Sequence, residues 1–514
     1  MTNGVNAAGA PSAGDDSDRR GGAVPAFGGS VAWSAVLFSL AYGAAVFLPF
    51  LDGGSRTLTR HEVLITHPAM EILGGGDWLI PRFAGEPWVD KPPLLTWVTA
   101  GVFALAGGFT EWAARLPAAI SATLMCGLAA LLASRFWGWA SALLAGLVQG
   151  TCVYAYMQGR LGEPDMPFAL LVAGANFTLA WFWGGGVYRL PTRAALLFHA
   201  LVGLAVLTKG PLGAALPGMS VLVFCAMQRR LDPLRAVLYT PAVLVSVVVA
   251  MSWHAAVVWR LGEHGLERLI YTYFGRFAGM HHLGVQSPLL YFYTIPWMAL
   301  PWTVVLAIGA RPLWRAARSP EGALDRFLWA WFLGGLLVLT LSAFKHKHYC
   351  IPILPPLSIL TARLLAEHAG RVGRTAWRAY AAFFVGALMV FTFVSGVVMP
   401  RRDHRRETVE FLRREVARVP ADQTLYVVGL AQSADYPYIA HRCVYLDTLA
   451  EVRDAYEASP EKSIWILTLQ AYVAAGRASG FVFESSAEER PREKHPPAET
   501  CVIGRIVGRL DSAG

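Results

Sequence analysis

From Val31 to Leu51 the chain runs 21 residues without a charged side chain, and similar stretches recur along most of its length. They fall near residues 116–134, 136–159, 166–188, 194–208, 210–228, 236–259, 288–310, 327–344, 349–366 and 379–400. A helix of about 20 apolar residues crosses the hydrocarbon of a bilayer. Inside lipid the backbone must satisfy its own hydrogen bonds, so apolar segments of this length cross as helices. The expectation is a mostly α-helical integral membrane protein of about 11–13 spans, some of them short. Composition agrees. Only 15% of the residues are charged and the mean hydropathy is +0.43, against about 25% charged in soluble domains. Eighteen Trp and seventeen Tyr suit the aromatic belts at the two interfaces.

The formal net charge of +9 comes mainly from Arg dispersed between the spans rather than gathered on one domain, which argues against nucleic acid as a partner. Residues 1–30, rich in Gly, Ala, Ser and Asp, read as a disordered cytoplasmic tail without the apolar core of a cleaved signal peptide. Val31–Leu51 then acts as a signal anchor. Cys126, Cys152, Cys225 and Cys350 lie in or beside apolar stretches and read as packing residues. Cys443 and Cys501 lie in the polar C-terminal part, where a disulfide would form only outside the cytoplasm.

Loop charges set the sides. Arg135, Arg189 and Arg193, then the Arg-rich loops 228–235, 311–318 and 371–378, form one set, dense in Arg and poor in acids. That pattern marks the cytoplasmic face. The alternate loops hold Arg160, Glu163, Asp165, Lys209, residues 260–287 and Lys345–His348, mixing both signs with histidine. Residues 92–110 decide the parity. If they span, loop 52–110 and these mixed loops lie on opposite faces. If they lie along the interface, which is the arrangement adopted here, all the chemically rich loops share the outer face. Eleven spans then leave 401–514 outside, although Arg401-Arg402-Asp403-His404-Arg405-Arg406 runs against the positive-inside trend. Residues 424–430 and 463–469 read as buried strands with a helical stretch at 448–458 between them, so 401–514 is expected to be a small soluble α/β domain following a transmembrane domain over 31–400. No dinucleotide fingerprint or phosphate-binding loop accompanies it.

Three polar constellations share the proposed outer face. The first loop carries His61, Glu62, His67, Glu71, Asp77, Arg82, Glu86, Asp90 and Lys91, too many ionisable groups for lipid. Gly74-Gly75-Gly76 ends one helical stretch and Pro92-Pro93 opens another. His61-Glu62 would take a proton from an acceptor hydroxyl or hold a divalent ion; equally, the pair fits an acidic helix N-terminus. The second constellation, Arg160, Glu163 and Asp165, fits either a reactive loop or a charged turn between spans. The third is cationic: Arg82, Lys91, Lys209, Lys345 and Lys347 would neutralise a lipid phosphate or merely snorkel. His281-His282 resembles half of a metal site, without further spaced ligands. No cofactor is required by these motifs, although a divalent metal would fit the first pair.

Glu62, G-D-W (76–78), P-R-F-A-G-E-P (81–87), D-K-P-P-L (90–94) and A-A-R-L-P-A-A (113–119) occur in order, followed by E-P-D-M-P (163–167), L-T-K-G-P (207–211) and K-H-K-H-Y-C-I-P-I-L-P-P (345–356). Together they resemble the polyprenyl-phosphate-sugar-dependent glycosyltransferases that include the lipid A aminoarabinose transferases and are related to the protein O-mannosyltransferases. The resemblance implies a GT-C-type multi-span fold with juxtamembrane helices in the first outer loop over the active site. It implies transfer from a polyprenyl-phosphate donor to lipid A, another lipid or a glycan, on the periplasmic face of a bacterial inner membrane. By the same resemblance the acidic pair that opens this loop assists acceptor deprotonation, which makes Glu62 the expected base with His61 or Asp165 assisting; Asp165 is the second outer-loop acid, Lys91 contacts the donor phosphate, and Asp90, Glu163 and Tyr349 stand in the matching motifs. The family's usual Asp-Glu pair reads His61-Glu62 here. A protein acceptor is the alternative within the family. A lipid or sugar transporter is the alternative outside it, and predicts internal repeats and mid-membrane charges that the sequence lacks.

Overall fold

The computed structural model describes residues 31–52, 56–280, 285–403, 405–420, 422–429, 438, 443–488 and 500–509. The expected disordered tail, 1–30, and His281 and His282 lie outside them. Six helices among the described residues are long and apolar enough to cross a membrane, or eight if each of two bent pairs is one span. The bent pairs are Leu290–Met298 with Trp302–Arg318, and Lys347–Ile353 with Pro355–Val372. The chain is therefore a multi-pass integral membrane protein.

The first helices are α1 (Trp33–Phe47), α2 (Arg60–Leu73), α3 (Leu94–Ala106) and α4 (Glu111–Thr151). Helix α4 breaks at Gly138, where φ is 76° and ψ is −168°. A straight helix would separate Cys126 from Gly146 by about 30 Å, yet a methyl on Gly146 would sit 3.0 Å from the Cys126 carbonyl oxygen. The two limbs therefore fold back on each other as a hairpin. Helix α1 packs into that hairpin where Gly127 and Gly146 meet Leu40 and Ser39, with no room for a Cβ. Counting the hairpin as two crossings, and adding the short apolar helices Trp33–Phe47 and Leu212–Gln228, brings the eight to eleven, the number expected.

Helix α3 bears on the parity. Its 13 residues rise about 20 Å, short of the roughly 30 Å hydrocarbon. Gly107, left-handed at φ 77°, turns the chain at its end. The chain enters α3 beside Lys91 and leaves it at Glu111, and both ends face the same group of loops. Both features agree with residues 92–110 lying along the interface.

The C-terminal part builds a five-stranded sheet in the order β4-β3-β5-β7-β6. Its strands are β3 (Leu425–Val428), β4 (Cys443–Leu446), β5 (Ile464–Leu469), β6 (Phe481–Glu488) and β7 (Cys501–Arg509), following the Arg82–Phe83 and Glu86–Pro87 hairpin (β1, β2) of the first loop. Strand β3 runs parallel to β4 and β5, and β7 antiparallel to β5 and β6. Cys443 and Cys501 sit on strands three steps apart, about 14 Å at ~4.8 Å per step, which no disulfide bridges.

This sheet packs on the first loop. Leu58, Val63, Ile72 and Phe83 share one apolar cluster with Val409, Leu412, Leu467 and Ile503. Asp403 accepts from the amide and hydroxyl of Thr57 at 2.7 and 3.0 Å. Tyr438 donates to Glu111 at 2.8 Å and accepts from the Leu58 amide at 2.7 Å. Arg406 pairs with Glu111 at 3.2 Å, so a local acid matches part of the arginine cluster that ran against the topology rule.

Candidate active site between two cavities

Helix α2 opens with Thr59-Arg60-His61-Glu62, a capping box. Thr59 Oγ1 accepts from the Glu62 amide at 3.3 Å, and Glu62 Oε2 accepts from the Thr59 amide at 2.8 Å. The Glu62 carboxylate has further partners. Arg115 donates to both its oxygens, at 2.8 and 3.3 Å, and the Gly162 amide donates at 2.9 Å. Neither Glu62 nor Arg115 has any exposed side-chain surface. Burial alone would push the Glu62 carboxyl up, but the Arg115 guanidinium, helped by Arg56 and the Gly162 amide, holds it down at about 2. Arg115 also donates to the carbonyls of Leu51, Arg56 and Thr57, tying the start of the loop to α4. Glu62 thus stands behind the wall of the site and does not face the acceptor space expected for it.

Its neighbour His61 faces outward into a polar cavity of about 640 Å³. Tyr154, Gln158 and Glu163 line one side of this cavity, and Lys345, His346, Lys347 and His348 another. The His346 and His348 rings stack at 4.9 Å, and His61 presents its edge to each at 6.2 Å. Burial first, and then the charges of Lys91, Arg60 and Lys209, hold His61 below its ordinary value. Burial, with His61 and Lys209 near, takes His346 down to about 4. Both shifts favour the neutral imidazole. Lys345 is buried, donates to the Ser342 and Gln286 carbonyls, and meets no carboxylate among the described residues.

Glu163 occupies the short turn before helix α6 (Asp165–Trp183), after helix α5 (Val153–Gln158). Its side chain is 6% exposed, lines the polar cavity, and has no hydrogen bond or ion pair among the described residues. Burial pushes its carboxyl up, the charges of Asp165 and Glu62 add to this, and the result is about 8. Arg160, in the same turn, instead caps α1 by donating to the carbonyls of Val46, Phe47, Pro49 and Phe50.

Asp165 bridges to a second cavity. Lys209 Nζ lies 2.5 Å from Asp165 Oδ1, and His348 Nε2 lies 3.9 Å from the same oxygen. Lys209 ends helix α7 (Thr192–Lys209), and the chain turns there through Gly210 at φ 69° before helix α8 (Leu212–Gln228). The ammonium also sits 4.2 Å over the Tyr349 ring. The second cavity, about 370 Å³, is walled by apolar side chains such as Leu212, Phe274, Phe277 and Leu339, into which Asp90, Lys91, Lys209 and Tyr349 bring polar groups. His348 lines the first cavity and Tyr349 the second, so one short segment separates them.

Most of the candidates named from the sequence therefore meet in one place: His61, Glu163, Asp165, Lys345 and Lys347 around the polar cavity and its wall, Asp90, Lys91, Lys209 and Tyr349 in the apolar one. Arg82 does not join them. It donates to the Gly85 carbonyl within the exposed β1–β2 turn and lines neither cavity. Among the described residues no group of three or more His, Cys, Asp or Glu is arranged to hold a metal ion. Arg115, His346, His348 and Gln158 were not singled out from the sequence. The Thr59-x-x-Glu62 spacing was the available signal that Glu62 is a capping residue.

Residues 90–255 match the family model described as dolichyl-phosphate-mannose-protein mannosyltransferase. The undecaprenyl phosphate-alpha-4-amino-4-deoxy-L-arabinose arabinosyl transferase of Pseudomonas savastanoi pv. phaseolicola is 32% identical over 58% of this chain and 55% of its own length. That of Pseudomonas paraeruginosa is 30% identical over 67% of this chain and 62% of its own. The chain thus spans less than two thirds of the length of these relatives. In structure it is similar to ArnT from Cupriavidus metallidurans bound to undecaprenyl phosphate, with a TM-score of 0.74 and 18% identity, over 94% of this chain and 99% of that one. The Archaeoglobus fulgidus oligosaccharyltransferase in its apo form gives a TM-score of 0.50 at 11% identity, over 88% of this chain and 73% of that one. Taken with the two cavities on one face, these likenesses make the chain a multi-pass membrane protein of the GT-C fold, similar in sequence to the undecaprenyl phosphate-aminoarabinose arabinosyl transferases.

Proposed function

We propose that the chain is a glycosyltransferase that moves a sugar from a polyprenyl-phosphate donor to an envelope lipid or glycan, with lipid A the first candidate, at the outer face of the bacterial inner membrane. One observation carries the reading: an apolar cavity supplied with Lys91, Lys209 and Tyr349 adjoins a polar cavity lined by His61, Gln158, Glu163, His346 and His348, with Asp165 in the wall between them. The apolar cavity suits a polyprenyl chain, and its two ammonium groups suit the phosphate that departs with it. Lysines acting there would stabilise charge as it grows on the leaving oxygen, the largest electrostatic contribution open to such a site. The polar cavity receives the acceptor. A lipid-phosphate donor also fits a sequence without a nucleotide-binding motif.

The test incubates the purified full chain with labelled polyprenyl-phosphate sugar and either membrane lipids or an unstructured Ser/Thr-rich peptide. Transfer to lipid, falling about 10²-fold or more in Lys91→Ala, supports the reading. Transfer to peptide alone would favour a protein acceptor, the alternative raised by the mannosyltransferase family match. No transfer from any donor, together with movement of the lipid across vesicles, would overturn it in favour of a transporter.

A further inference from the structure

The Glu62 carboxylate is caged. Thr59, Arg115 and Gly162 occupy its oxygens, and none of its surface reaches either cavity. A group in that state has no contact with an acceptor. One acid that lines the polar cavity is in the opposite condition: Glu163 is more than nine-tenths buried and makes no hydrogen bond or ion pair among the described residues. A buried carboxyl without a partner is costly, and such groups persist where a ligand completes them. The amide that Glu62 holds is that of Gly162, the residue just before Glu163. A Cβ at Gly162 would press on the Ala114 carbonyl at 2.7 Å. Thus Arg115, Glu62 and Gly162 form a rigid line from α4 that fixes where the Glu163 side chain begins.

We propose, resting on the glycosyltransferase reading, that Glu163 is the catalytic base for the acceptor and that Glu62 is its positioning residue. The Glu163 carboxylate takes the proton as the acceptor O–H bond breaks. The freed oxygen pair forms the new bond at the anomeric carbon. The bond from that carbon to the donor phosphate oxygen breaks, and its electron pair leaves on the lipid phosphate beside Lys91 and Lys209. Glu163 then returns its proton to water in the open cavity. Acids Asp165 and Glu62 raise the carboxyl, while Lys91 and Arg56 lower it; His61, Lys345 and His348 face the same cavity. A base with a value near 8 is well matched to transfer near neutral pH, where its ionised fraction climbs with pH.

The experiment measures kcat and kcat/KM against pH for the full chain in detergent or vesicles, with labelled polyprenyl-phosphate sugar and the acceptor that the wild type uses. Wild-type kcat/KM is expected to rise about tenfold per unit and level off near pH 8. Glu163→Gln should lower kcat about 10²–10⁴-fold, remove the rise, and leave the donor KM unchanged. Glu163→Asp should restore part of the rate with its pH rise. Gln is isosteric with the protonated acid that the folded chain already holds at pH 7, so Glu163→Gln should keep the wild-type melting temperature. Wild-type transfer with an unchanged rate and pH profile in Glu163→Gln would overturn this proposal while leaving the glycosyltransferase reading intact. Wild-type inactivity with every donor would instead remove the reading on which it rests.

Discussion

Glu62 and Glu163 are both buried glutamates in short polar segments, and their surroundings give them opposite characters. Arg115 pins the first as an anion, whereas its own desolvation and two neighbouring acids keep the second protonated. Removing one member of a buried, hydrogen-bonded pair leaves the other charge uncompensated, at a cost of about 3–5 kcal/mol. Glu62→Gln is therefore expected to lower the melting temperature markedly, and Arg115→Met to do the same. The double variant should lose less than the sum of the two. An unchanged melting temperature in Glu62→Gln would contradict the brace. The pH sense also follows. A carboxyl held near 2 in the folded chain contributes stability that is present above its ordinary value near 4.5 and fades as pH falls toward 2. Sequence spacing could place His61 and Glu62 side by side at the start of a helix. It could not say which faced the cavity, because that depends on Arg115, 53 residues away.

At the level of elements, the site is held by short connectors at helix ends. Lys209 reaches Asp165 because α7 stops at Gly210, whose left-handed backbone brings it within a Cβ's reach of the Tyr273 ring. A methyl there would lie 2.4 Å from a Tyr273 ring carbon. Gly210→Ala is expected to raise the donor KM several-fold, by displacing either Lys209 or Tyr273, with a fall in stability of about 1–3 kcal/mol from the strained backbone. A wild-type KM in that variant would show that Gly210 does not set the position of Lys209. The Lys-Gly-Pro run was visible in the sequence, and so was the end of α2 at its glycines. The hairpin within α4 was legible as two apolar stretches, although its break, at Gly138, falls just inside the second expected segment, 136–159. The C-terminal sheet was legible only in part. β3 and β5 are short apolar runs that the eye finds, whereas β6 and β7 mix Glu, Gly, Ser and Arg and become strands through pairing with each other and with β5.

Across the whole molecule, the turn before α6, the end of α7, residues 345–349, the first loop and the C-terminal sheet all gather at one end of the helix bundle. Their mutual contacts require this: Gly162 to Glu62, Asp165 to Lys209 and His348, and Asp403 to Thr57. The hydropathy pattern made the number of crossings legible. Sidedness hung on whether 92–110 crosses, and the two ends of α3, which face the same group of loops, bear on that. The contacts fix which parts share a face. We propose, from the Arg-rich loops at the opposite end, that this face is the outer one. Single cysteines test it on a background with the native six replaced. Glu86→Cys on the first loop and Arg453→Cys on the C-terminal part are both exposed, and both should react with a membrane-impermeant maleimide on intact cells. Arg318→Cys, exposed at the other end of the bundle, should react only after lysis. If Glu86 and Arg453 labelled from different sides, the packing of the sheet on the first loop would be wrong. If both labelled only after lysis while Arg318 labelled on intact cells, the fold would stand, but the donor would have to be met from the cytoplasm.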